Sequence, residues 1–71
     1  MRKILLDTNA YVRFLRGDEK VMEYLSQADS VYMSVFVLGE LYAGFKAGSK
    51  DRNNRQILER FLLKPAVTVL E

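Results

Sequence analysis

Asp7 and Glu40 are the two residues of this 71-residue chain whose types and placement point most directly to chemistry. Asp7 closes a short apolar run, Ile4-Leu-Leu, and is followed by Thr8 and Asn9; Glu40 sits between Gly39 and Leu41, in a stretch rich in apolar residues. Two carboxylates in one site repel each other unless a cation lies between them or one takes up a proton. A divalent ion resolves that repulsion, and hard oxygen donors suit Mg²⁺ or Mn²⁺. Thr8 and Asn9 place a hydroxyl and an amide beside the first acid, the kind of supporting polar groups a ligating carboxylate needs. The composition leaves few other options. The chain has neither His nor Cys, which excludes Ser-His-Asp triads, the usual zinc sites, cysteine nucleophiles and imidazole general bases.

Each acid also has a plainer reading. Asp7, Thr8 and Asn9 are all helix-capping residue types, and a glutamate on an amphipathic helix is ordinarily a surface charge. Gly39 and Gly44 weigh against the plain reading of Glu40. Inside a helix each costs about 1 kcal/mol relative to alanine, a cost that often marks the close approach of another backbone or of a ligand.

The elements that must position these groups follow from the pattern of apolar residues. Lys3-Ile-Leu-Leu-Asp7 shows no alternation and reads as a strand buried on both faces, as in a parallel sheet. Ala10, Tyr11, Phe14 and Leu15 mark an amphipathic helix that ends near Gly17. Asp18 and Glu19 open a second helix, with Val21, Met22 and Leu25 on its apolar face. Ser30–Ser34 reads as a second strand, and Ser34 caps a long helix whose stripe is Val37, Leu38, Leu41, Tyr42 and Phe45, stopping around Gly48. A fourth helix runs from about Lys50 to Leu63, is ended by Pro65, and leads to a β-branched strand at Ala66–Leu70.

The order is β-α-α-β-α-α-β, an α/β fold with a parallel sheet and helical crossovers. In such sheets ligands bind beyond the carboxyl ends of the strands. Asp7 ends the first strand, and Glu40 lies nearly two turns into the helix leaving the second, so the topology directs both acids to one edge. A final strand with an unpaired edge and a thin core makes the domain look unfinished.

Charge and hydropathy narrow the partners. Hydrophobic residues make up 49% and charged residues 28%, which fits a globular chain rather than a disordered one. The longest apolar run, Val35–Leu38, is too short to span a bilayer. Arg2 and Lys3 are followed by only three apolar residues before Asp7, so no signal peptide is expected and the location expected is cytoplasmic. The net charge of +2 is mild, but Lys46, Lys50, Arg52, Arg55, Arg60 and Lys64 face only Asp51 and Glu59 over that stretch. Such an excess can neutralise phosphates. Its simpler reading is a solvated helix face with an Asp51–Arg55 pair.

Three stretches together resemble a known family: Ile4-Leu-Leu-Asp-Thr-Asn9, the Val12-Arg-Phe-Leu15 helix, and Ser34-Val-Phe-Val-Leu-Gly-Glu-Leu-Tyr-Ala-Gly44. They resemble the N-terminal half of the PIN domain, and more specifically the toxin ribonucleases of VapBC toxin–antitoxin modules. The resemblance extends over the Asn53–Leu58 helix and the Val67–Leu70 strand. It implies a single partial PIN-like domain over residues 1–71, truncated on its C-terminal side. It further implies an endoribonuclease dependent on Mg²⁺ or Mn²⁺, with Asp7 and Glu40 as metal-binding acids and Thr8 or Asn9 as supporting polar residues. Lys46, Lys50, Arg52 and Arg55 would then contact RNA. A cognate antitoxin protein and a homodimer or higher assembly are the other partners implied, with no membrane.

The family pattern continues for a comparable length and supplies one or two further aspartates, whereas no carboxylate lies between Glu59 and Glu71. A different class of function therefore stands beside the nuclease: an inactive PIN-like fragment that dimerises or binds an antitoxin. A receiver-type phosphoacceptor domain fits poorly, because it needs paired early acids and another aspartate after the third strand.

Overall fold

Strand β1 (Lys3–Leu5) opens the computed structural model, which describes residues 2–71. Helices α1 (Thr8–Leu15) and α2 (Glu19–Ser26) connect it to β2 (Ser30–Ser34). Helices α3 (Val35–Ala47) and α4 (Asp51–Leu62) then lead to β3 (Val67–Leu70). The seven-element order is the one expected from the sequence. All three strands are parallel in the order β1-β2-β3, with Ile4 level with Val31 and Val31 level with Val67.

The helix boundaries are chemical. Asp7 caps α1, its Oδ1 accepting from the Ala10 N–H at 2.8 Å. Asp18 stands outside α2 rather than in its first turn, and its Oδ1 accepts from the N–H groups of Lys20 and Val21. Ser34 caps α3 by accepting from the Val37 N–H at 3.2 Å. Each cap satisfies backbone donors that a helix start otherwise leaves open. Between α1 and α2 the chain reverses at Gly17, whose φ of +84° is a left-handed conformation that residues with a Cβ rarely adopt.

One face of the sheet carries the core. Ile4, Val31 and Met33 are buried, and Leu6, Tyr11, Leu41, Phe45, Leu58 and Phe61 supply the loop and helix side of the same interior. Tyr11, Phe14 and Phe61 form an aromatic group with centroids 5.4–5.7 Å apart. The Tyr11 hydroxyl is enclosed there without a hydrogen-bond partner among the described residues. Burial, with Tyr42 nearby, pushes its phenol from 10.0 up to about 12.

The expectation that the first strand is buried on both faces does not hold. Leu5 is 71% exposed although it lies between buried Ile4 and Leu6. Its register neighbours Tyr32 and Thr68 point to the same side, where Tyr32 is half-buried and Thr68 exposed. Alternate side chains of a strand face opposite ways, so the helices cover one face and leave the other open. A three-residue strand is too short for its apolar run to reveal that asymmetry. Among the described residues, no helix is long and apolar enough to cross a membrane.

Candidate functional site

Asp7 follows β1 directly because Leu6 still belongs to the ladder, its N–H donating to the Tyr32 carbonyl at 2.8 Å. The same carboxylate that caps α1 is thereby fixed at the carboxyl end of the sheet. Glu40 is on α3, which starts immediately after β2 and so leaves from the same end. The two elements meet through Thr8, whose hydroxyl donates to Glu40 Oε1 at 2.7 Å. The acid from the second crossover is thus tied to the residue next to the acid from the first.

Both sequence readings of Asp7 are compatible with this geometry. Its Oδ1 is used as a cap, and a carboxylate has a second oxygen with lone pairs to offer. Glu40 is placed similarly, with Oε1 accepting from Thr8. Both carboxylates are exposed, as is Asn9. The donor set is therefore all oxygen, partly oriented by internal hydrogen bonds and open to solvent. That fits a Mg²⁺-like ion, which takes one or two carboxylates and keeps several waters. Among the described residues, no group of three or more acids gathers to form a fuller cage.

Two hollows meet at this edge. A groove of about 540 Å³ is lined by Thr8, Glu40, Gly44, Lys50 and Asn54, with Val12, Leu15, Leu41 and Phe45 as its apolar part. A second hollow, of about 650 Å³, is lined by Asp7, Asn9, Ala10, Val12 and Arg13. Arg16 lines both. The glycines flanking Glu40 do not mark a close approach within the chain: a Cβ at Gly39 or at Gly44 would meet nothing within 4 Å. At Gly44 the missing side chain instead leaves the groove open.

The basic residues picked from the sequence are not equivalent. Lys50 lines the groove that contains Glu40. Arg55 is turned to its own helix, donating to Asp51 Oδ1 at 2.9 Å, and its guanidinium carbon lies 5.6 Å from the centre of the Tyr42 ring. Arg52 lines a separate hollow with Ser49, Asn53 and Gln56, and Lys46 is exposed in the last turn of α3. The structure adds Arg16 and Asn54, which the sequence reading passed over. Thr8, Val12 and Arg16 stand four residues apart on α1 and its C-cap, a helical spacing that puts them on one face. That spacing was the available signal, hidden by the stronger apolar pattern of Tyr11, Phe14 and Leu15.

Comparison with known proteins bears on the fold and on the family. No curated protein matches the chain. Among solved structures, the chain is similar to the crystal structure of VapBC2 from Rickettsia felis bound to a DNA fragment from their promoter. The TM-score is 0.75 at 24% identity, over 96% of this chain and 53% of that one. This likeness is one of fold, and the chain spans about half the length of its structural counterpart. The family model of the PIN domain matches residues 4–71, which include both acids, Thr8 and all of the sheet but Lys3. The chain belongs to the PIN-domain family.

Proposed function

We propose that the chain is a divalent-metal-dependent endoribonuclease toxin of a toxin–antitoxin system, or the N-terminal portion of one, and that it hydrolyses RNA phosphodiesters. The observation that carries this reading is the Thr8–Glu40 hydrogen bond, which ties the second acid to the neighbour of the first in a chain of the PIN family. Asp7 and Glu40 are the residues that would hold Mg²⁺ or Mn²⁺. When bound, such an ion lowers the pKa of a water and offsets negative charge developing on a phosphoryl oxygen. The chain's own residues do the rest. The α1 cap fixes Asp7 at the sheet edge, Thr8 orients Glu40, and Lys50 offers a positive charge to the RNA backbone. A cognate antitoxin and a second copy of the chain are the proposed protein partners, in line with the VapBC2 likeness.

Incubation with a defined RNA tests the activity directly. Cleavage is expected with Mg²⁺ or Mn²⁺, and none with EDTA or in Glu40→Gln. Cleavage that persists equally in EDTA and in Glu40→Gln would contradict the proposal.

A second reading is favoured by the open sheet face, on which Leu5 is 71% exposed. In this reading the chain is a catalytically incompetent PIN-like module that dimerises or binds an antitoxin through apolar surface. Sedimentation of a folded chain that stays monomeric at high concentration, with no affinity for an antitoxin, would rule it out.

A further inference from the structure

Arg16 is the one basic residue that lines both hollows, beside Glu40 and Thr8 in the first and beside Asp7 and Asn9 in the second. Its neighbour Arg13 faces Asp18 at 3.9 Å, and Arg55 is bonded to Asp51. Arg16 and Lys50, by contrast, make no side-chain ion pair or hydrogen bond among the described residues. They come from different elements, Arg16 from the C-cap of α1 and Lys50 from the N-cap of α4. A cation left unpaired beside two acids fits a counter-charge that arrives with a ligand. The planar guanidinium fork matches phosphate in particular.

The rest of the groove fits what adjoins a phosphate in RNA. Val12, Leu15, Leu41 and Phe45 make an apolar surface, and Gly44 leaves it uncovered. Its volume of about 540 Å³ lies within the range of small-ligand sites, ~300–1,000 Å³. We propose that Arg16 is a phosphate-positioning residue: it holds a phosphodiester of single-stranded RNA beside Asp7 and Glu40, with the adjoining nucleoside in the groove and Lys50 supplying a second phosphate contact. Apolar surface interrupted by unpaired cations matches the alternation of base and phosphate along a strand. An apolar helix from a partner protein would want a continuous stripe, which Arg16 and Glu40 break. The assignment rests on the ribonuclease reading above.

The test is fluorescence anisotropy of a labelled single-stranded RNA decamer with the full chain in EDTA, so that it does not depend on metal. Arg16→Ala and Lys50→Ala are each expected to weaken binding about tenfold. Each should also flatten the salt dependence by about 0.7 in log–log slope, the loss of one single-strand phosphate contact. Arg16→Lys should recover the slope and only part of the affinity. Gly44→Leu, which fills the groove, should weaken binding without changing the slope, while Lys20→Ala on α2 should alter neither.

Equal affinity and slope in the parent, Arg16→Ala and Lys50→Ala would overturn the assignment, as would the absence of RNA binding in the parent chain. Loss of antitoxin binding in Gly44→Leu with RNA binding intact would give the groove to a protein partner instead. Mn²⁺ affinity measured on the same variants separates the two readings. If it is retained while RNA binding is indifferent to Arg16, the clamp fails and the metal site stands.

Discussion

Asp7 serves two purposes that a single substitution can separate. As a cap it accepts from the Ala10 N–H; as a proposed ligand it offers charge. Asparagine caps as well as aspartate, whereas alanine costs about 1 kcal/mol. Asp7→Asn should therefore keep the urea midpoint of the parent and lose Mn²⁺ binding, while Asp7→Ala should lose both. Thr8 presents a similar contrast. Thr8→Val removes the donor to Glu40 and should weaken Mn²⁺ binding about tenfold, whereas Thr8→Ser should restore it. A further residue-scale prediction concerns the enclosed Tyr11 hydroxyl. A buried, unpartnered hydroxyl costs about 1–3 kcal/mol, so Tyr11→Phe should stabilise the fold by roughly 1 kcal/mol in urea titrations at neutral pH. The folded phenol is raised from 10.0 to about 12, so the folded state keeps a proton that the unfolded chain releases first. The parent should accordingly lose stability as pH climbs from 10 towards 12, and Tyr11→Phe should be spared that part of the loss. At this scale the sequence was informative about where Asp7, Thr8 and Glu40 lie, because the first two follow a strand end and the third is on the helix that leaves the next strand. It was silent about Arg16, whose importance depends on which hollows its side chain borders.

At the scale of elements, the boundaries were readable because residues with specific backbone chemistry mark them. Ser34 and Asp7 cap their helices as expected, Gly17 takes the left-handed turn, and α4 ends before Pro65. The helical glycines were read less well. They signalled an approach to α3, but no atom outside the helix backbone lies near enough to need it. In this chain Gly39 is simply unfavourable helix, so Gly39→Ala should raise the thermal midpoint, by the equivalent of about 0.5–1 kcal/mol. A destabilising Gly39→Ala would show that the exposed face of α3 is in contact with something, such as a second copy.

For the whole molecule, the sheet is covered on one side only. Burial at Ile4 and exposure at Leu5 give the two sides opposite sensitivities. Ile4→Ala should cost about 2–5 kcal/mol, whereas Leu5→Ala should change the stability of the isolated monomer by less than about 0.5 kcal/mol. If Leu5→Ala destabilised the chain comparably, and did so more at higher protein concentration, the open face would be an interface in solution. The parallel topology was legible, since strands separated by helical pairs leave little alternative. The open face was not, because periodicity needs more residues than Lys3–Leu5 supplies.

Mn²⁺ binding, followed by loss of the free-ion electron paramagnetic resonance signal, tests most directly whether Asp7 and Glu40 form one site. The parent chain should bind, and Asp7→Asn and Glu40→Gln should each abolish binding while leaving the circular dichroism spectrum of the parent. Equal Mn²⁺ affinity in all three proteins would contradict the account.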